Sequence, residues 1–180
     1  MARVKNRLLD AEALWKYAVA ALASRAHSTG ELKQKLRQRA ERAVDVDATI
    51  ARLKEYGYLN ERGFAEAFTT ARLENQGFGK MRAMRELRQR RVAPALAEQA
   101  VQKIYQDVDE HALIENFIRR KFRTTPRDGL FADPRDLASA YRRLLRAGFG
   151  PAAITQALKK FAKDPELLDQ FEPPEETPEE

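Results

Sequence analysis

No cysteine occurs among the 180 residues. Disulfides and thiolate metal sites are thereby excluded, and the lack fits a reducing compartment. Histidine is almost as scarce: His27 and His111 are the only two. His27 precedes a helix cap and His111 falls in a first helical turn, so both are expected to face solvent. No His-rich metal spacing, no nucleophile elbow and no glycine-rich phosphate loop ending in Lys-Ser or Lys-Thr appears. Apolar runs are short. None approaches the roughly 20 residues that a membrane-spanning helix needs, and Met1 to Asp10 is basic and polar where a secretory signal would be apolar. Strand signals are missing too: no Asn-Gly or Asp-Gly turn joins two alternating β-branched runs. The expectation is a cytoplasmic, non-enzymatic protein with no cofactor and no metal, made of helices alone.

What is present supports helices. Ala, Leu, Arg, Glu, Lys and Gln dominate, and all are good helix formers. Apolar residues recur at spacings of three and four. Leu14, Tyr17, Ala18, Ala21 and Leu22 make one stripe; Phe64, Ala67, Phe68 and Ala71 a second; Ile114, Phe117, Ile118 and Phe122 a third. Trp15 lies beside the first stripe and is read as core, as is Phe78 in the Gly77-Phe78-Gly79 turn. Ser28-Thr29-Gly30-Glu31 is a capping box. Gly57, Gly77 and Gly148 stand where helices should stop, and Pro134 and Pro151 where they should start. The punctuation predicts nine helices, over 10–24, 29–42, 47–56, 60–75, 79–90, 94–106, 109–122, 134–147 and 151–162.

Nine helices invite a search for a period. Leu36, Leu87 and Leu144 set a register, 51 and 57 residues apart. Seven residues on lie Ala43, Pro94 and Pro151. Then come Val46, Ala97 and Ile154; Ile50, Val101 and Leu158; Leu53, Ile104 and Phe161. These last three sets are spaced by four and then three, which is one face of a helix. The longer second step reflects a loop inserted at 124–132. The expected fold is an all-α, elongated array of three tandem three-helix modules, a short solenoid. Its parts are a basic segment 1–9, modules 10–59, 60–107 and 108–163, and a tail 164–180.

Charge is uneven. The tail holds eight of the 27 acidic residues and none of the 33 basic ones, which leaves residues 1–163 at a formal +14. It also holds four of the eight prolines. Such a segment is expected to stay unfolded, solubilising the protein or transiently covering its basic surface. A body so positive attracts polyanions. The cations gather on the middle helix of each module. Lys33, Lys35 and Arg37 lie in the first; Arg82, Arg85, Arg88, Arg90 and Arg91 in the second; Arg142, Arg143 and Arg146 in the third. Met81, Met84 and Leu87 are expected to form the buried edge of the second of these helices, with Arg82, Arg85 and Arg90 pointing outward. The eleven cations are the candidate binding residues.

Four stretches resemble the RecX family. Arg25-Ala26-His27-Ser28, followed by Glu31-Leu32 and Lys35-Leu36, resembles its first module. Leu53 to Asn60, reading Leu-Lys-Glu-Tyr-Gly-Tyr-Leu-Asn, with Phe64-Ala65, resembles the junction to the second. Gly77-Phe78-Gly79 with Glu86-Leu87 resembles the second module, and Leu144 to Phe149 with Ile154 the third. The resemblance implies three tandem three-helix modules. It implies a regulator of the RecA recombinase that lies in the groove of the RecA–DNA filament and damps its recombinase, ATPase and coprotease activities. The implied partners are the RecA filament and single- and double-stranded DNA without sequence preference, and the implied state is a monomer. The basic helices would then meet DNA phosphates or an acidic RecA surface. Two other readings compete: a helix-turn-helix transcriptional regulator, which would read base edges through one helix, and a protein-interaction scaffold without nucleic acid, against which the charge of +14 argues.

Overall fold

The structure is a computed structural model that describes residues 8–122, 131 and 134–161. The expectations for the tail and for most of the 124–132 loop lie outside these residues. Nine α-helices are found among the described residues: α1 (Ala11–Ser24), α2 (Thr29–Arg37), α3 (Ala43–Glu55), α4 (Glu61–Ala71), α5 (Lys80–Gln89), α6 (Pro94–Tyr105), α7 (Glu110–Lys121), α8 (Pro134–Arg146) and α9 (Pro151–Lys159). No strand appears among them; one isolated bridge joins Leu9 and Ala40.

The starts of the helices follow their side-chain chemistry. Asp10 accepts from the Ala13 amide at 2.9 Å, and Asp109 from those of His111 and Ala112. The Ser28 hydroxyl accepts from the Glu31 amide at 3.0 Å while the Glu31 carboxylate accepts from the Ser28 amide at 3.3 Å. That is the capping box, and it satisfies two amides the helix itself cannot. The third helices of two sets begin at the expected prolines, Pro94 and Pro151, and the remaining one begins at the register-equivalent Ala43.

Three spans depart from expectation. The helix expected over 29–42 stops at Arg37, and the one expected from 47 begins at Ala43. Between them the Leu9 amide donates to the Arg39 carbonyl at 2.7 Å, and Leu9 in turn accepts from the Glu41 amide at 2.9 Å. This pairing with a distant segment takes the backbone away from helix. The helix expected over 60–75 widens after Ala71 into a π turn, Arg72–Gln76, before Gly77 ends it.

The described residues fall in two compact units, within 1–69 with 86–103 and within 70–85 with 104–180. The first is built around Leu14, Ala18, Leu32, Leu36, Val46, Ile50, Leu53 and Leu59. The second is built around Ile114, Phe117, Ile118, Leu137, Tyr141, Leu144, Phe149, Ile154 and Leu158. Leu36, Leu87 and Leu144 are all fully buried. The second stripe is shifted by one residue from expectation. Ala65 and Thr69 are its buried line, with the Thr69 hydroxyl donating to the Ala65 carbonyl. Phe64 and Phe68 are half-buried and Ala67 is exposed.

The ends of α5 and α8 explain how the repeat is held. The Val92 amide donates to the Leu87 carbonyl at 3.1 Å and the Phe149 amide to that of Leu144 at 3.3 Å. Arg91 and Gly148 lie between with φ of 57° and 92°. This is the closure of a Schellman turn, reached at the same distance from each register leucine. Each turn receives the start of another helix. A Cβ on Gly30 would lie 2.3 Å from the Arg91 carbonyl oxygen, and one on Gly79 2.2 Å from that of Gly148. The Ser28 hydroxyl donates to the Arg90 carbonyl. The Gly79 amide donates to the Ala147 carbonyl at 2.9 Å. Ser28 and Gly79 are equivalent in the register, and so are Arg90 and Ala147. One docking joint is therefore built twice, once in each unit.

Candidate nucleic-acid interface

On the amphipathic helices α2, α5 and α8 the cations farthest round from the register leucines, Arg85, Arg142 and Arg146, face solvent, because a leucine that fills a core leaves the other face outside. In the first unit Arg37, Arg88 and Arg91 are exposed. In the second, Arg142 and Arg146 are exposed. None of the five is in a salt bridge among the described residues, although the charge of Arg37 helps to hold the Asp47 carboxyl down; Arg88, Arg91, Arg142 and Arg146 are the most available to a ligand. The other six candidates are engaged. Lys33 pairs with Asp47 at 2.6 Å, and that bond holds the Asp47 carboxyl below its ordinary range. Lys35 places its ammonium 3.4 Å from Nε2 of His27. Arg82 covers the Phe78 ring at 3.6 Å, and Arg143 the Phe122 ring at 4.5 Å. Arg85 donates to the Arg146 carbonyl at 3.2 Å, at the negative end of α8.

Arg90 departs most from expectation. Its guanidinium is 3.0 Å from Oε1 of Glu31, whose other oxygen lies 3.4 Å from Arg25. Burial pushes the Glu31 carboxyl up, but hydrogen bonds from Arg25, the Ser28 amide and Arg90 outweigh it and hold the group below its usual value. Arg90 thus belongs to the joint rather than to an outward face, and Arg82 likewise lies against a ring. Met81, expected on the buried edge of α5, is 56% exposed; Ala83 takes its place beside Leu87.

His27 is also a correction: it is 3% exposed. Nδ1 is 2.9 Å from the Arg25 carbonyl. A carbonyl only accepts, so Nδ1 carries the proton and Nε2 accepts from Lys35. Burial pushes the imidazole below its ordinary value; the Arg25 carbonyl opposes that, and the charges of Arg25 and Lys35 add to it. His111 is half-buried, as is Phe78.

Sequence reasoning missed one cluster. Trp15, read as core, sits half-buried at the edge of the first unit's core. Its ring centroid is 5.9 Å from that of Tyr56 and 6.4 Å from that of Tyr58, and the two tyrosines are 6.3 Å apart. The Arg52 guanidinium lies 4.1 Å from the Trp15 centroid and 5.4 Å from the Tyr56 centroid. The signal available was the Tyr-Gly-Tyr at the end of α3.

Among the described residues no group of acids and histidines is placed to hold a metal ion, and no helix is long and apolar enough to cross a membrane. Fold and surface together define a helical-repeat protein of three-helix modules whose middle helices carry exposed arginines. The family model described as RecX, second three-helix domain, matches residues 60–101. The Regulatory protein RecX of Deinococcus radiodurans is 34% identical over 161 residues, covering 89% of this chain and 74% of that protein. That of Pasteurella multocida is 31% identical over 147 residues, covering 81% and 85%. The crystal structure of RecX from Lactobacillus salivarius superposes with a TM-score of 0.63 at 17% identity, covering 84% of this chain and 96% of the other. The chain belongs to the RecX family.

Proposed function

We propose that this protein binds the RecA–DNA filament in the cytoplasm and restrains its recombinase, ATPase and coprotease activities, acting as a monomer of three modules with boundaries at 10–59, 60–107 and 108–163. Membership of a family of regulatory proteins supports the regulatory reading. The observation that carries the nucleic-acid part is the set of exposed arginines, Arg37, Arg88, Arg91, Arg142 and Arg146, none of them in a salt bridge among the described residues. Flexible guanidinium groups on helix faces suit phosphates, which fix position without reading sequence. Lys33, Lys35, Arg82, Arg85, Arg90 and Arg143, engaged within the protein, lie on or beside the same helices and add to their positive field.

The test is binding to RecA-coated single strands, bare single strands and random duplex, with RecA-dependent ATP hydrolysis followed in parallel. Sequence-tolerant binding and slower hydrolysis are expected. Preference for one duplex sequence would favour a transcriptional regulator instead, and binding to RecA with no response to DNA would favour a scaffold.

A further inference from the structure

We propose that Trp15, Tyr56 and Tyr58, with Arg52, form a stacking platform for unpaired bases of single-stranded nucleic acid. The inference rests on the proposed nucleic-acid reading and adds to it a second kind of contact, with bases rather than phosphates.

The platform follows from the local chain path. Tyr56 caps α3, and the Arg52 carbonyl accepts its amide. Gly57 then turns the chain with φ of 72°. The Leu59 amide returns to the Leu53 carbonyl at 3.2 Å, and the Leu59 side chain drops into the core. With Leu53 and Leu59 anchored inside, the tyrosines on either side of Gly57 are held outside, 57% and 59% exposed. Trp15 reaches the same spot from α1. Three rings about 6 Å apart are in mutual contact, so each fixes its neighbours' position.

Large rings that stay in water on a folded surface lose the benefit of burial until something covers them. Arg52 is exposed and stacks on Trp15 instead of pairing with an acid. Lys54, also exposed, lies on the same last turn of α3. Rings flanked by cations match a strand whose bases are free to stack and whose phosphates are negative. A duplex has no free base faces to offer, so the platform should ignore it.

Trp15 is the sole tryptophan, so its fluorescence reads the platform directly. The full chain is titrated with an oligothymidylate and with an abasic strand of equal length. One stacked base should make the thymidylate bind roughly 5- to 150-fold more tightly, and only it should quench Trp15. Tyr56→Ala with Tyr58→Ala should erase that preference and leave abasic binding unchanged. Tyr56→Phe with Tyr58→Phe should keep it. Should the alanine pair fail to fold, Tyr56→Leu with Tyr58→Leu keeps the bulk, removes the π faces and should behave like the alanines. Equal affinities of the unaltered protein for the two strands would overturn the proposal, as would a preference that survives loss of both rings. A variant that keeps the preference but loses binding to RecA alone would make this a protein-docking surface and overturn it too. Absence of abasic binding at low salt would instead remove the phosphate contacts of the broader reading.

Discussion

Alanine at Gly148 should destabilise the protein far more than alanine at Gly57, although both residues have positive φ. At Gly57 φ is 72° and nothing lies within 4 Å of an added Cβ. Only the left-handed strain remains, about 1–2 kcal/mol. At Gly148 φ is 92°, and the Cβ would stand 2.3 Å from the Arg82 amide nitrogen and 2.8 Å from the Gly79 carbonyl oxygen. These are backbone atoms at the start of α5, so relief requires that helix to move. Overpacking of this kind costs about 1–3 kcal/mol beyond the strain, for a sum of about 2–5 kcal/mol. In a chain of this size each kcal/mol lowers Tm by roughly 2–4 °C. Thermal unfolding followed by far-UV circular dichroism measures both variants. Gly79→Ala isolates the clash, since its φ is not positive and its Cβ would meet the Gly148 carbonyl oxygen at 2.2 Å. If Gly148→Ala unfolds no earlier than Gly57→Ala, the start of α5 does not sit in the Schellman turn of α8 and the joint is misread.

Leu87→Ala should cost about 2–5 kcal/mol, because the residue is fully buried; chemical denaturation will show it, and a loss near zero would contradict that burial. Five phosphate contacts should make log affinity for a single strand fall against log salt with a slope of about −3.5, at ~0.7 per contact; replacing Arg142 and Arg146 with Ala should flatten it by about 1.4, and an unchanged slope would remove both from the interface. His27 has a folded pKa below its ordinary 6.5. The unfolded chain therefore binds the proton more readily, and stability that is complete above 6.5 declines as pH falls through the folded value. His27→Gln should remove that decline, as denaturation midpoints across the range will reveal. Glu31, also depressed, acts only as pH falls below its ordinary 4.5, whereas the decline from His27 begins at 6.5.

The parts of the fold that depend on local chemistry were legible. Capping side chains, prolines at first helical positions and leucines at a fixed period act within one or two turns of themselves, and each produced the helix start or buried position expected. What misled was distance. The end of α2 is decided by Leu9, some thirty residues earlier. Burial of His27 depends on the carbonyl of Arg25 and on Lys35 folding back over it. Periodicity placed Met81 on the inner face of α5. At the first turn of α5 it is backbone, the Met81 amide on the Gly148 carbonyl, that meets the neighbouring turn, and the buried side chains are Ala83 and Leu87. Of the candidate cations, sequence located the helices but not which guanidinium groups were already occupied by Glu31 or by aromatic rings.

The register separates what the repeat must preserve from what it leaves free. Four residues after each of Leu87 and Leu144 the chain enters the left-handed region, and eight before Leu36 and Leu87 stands the residue that bonds into the turn. At Gly30, Gly79 and Gly148 packing imposes the residue, since an added Cβ there meets backbone. The cations obey no such rule. Two residues before the register leucines stand Gln34, Arg85 and Arg142; one after stand Arg37, Arg88 and Leu145; three after stand Arg39, Arg90 and Ala147. A partner that repeated in step with the modules would meet the same charge at each, and this sequence does not offer it. A phosphate chain is indifferent to that irregularity, because each flexible arginine finds a charge somewhere along it. Arg90 shows why regularity is lost. Its position in the joint gives its guanidinium Glu31 as a partner, whereas the equivalent Ala147 has no charge to pair; its carbonyl accepts from the Gly79 amide where that of Arg90 accepts from the Ser28 hydroxyl. The same joint is closed by side chains in one unit and by backbone in the other, and the arginines outside it are the ones proposed to meet phosphates.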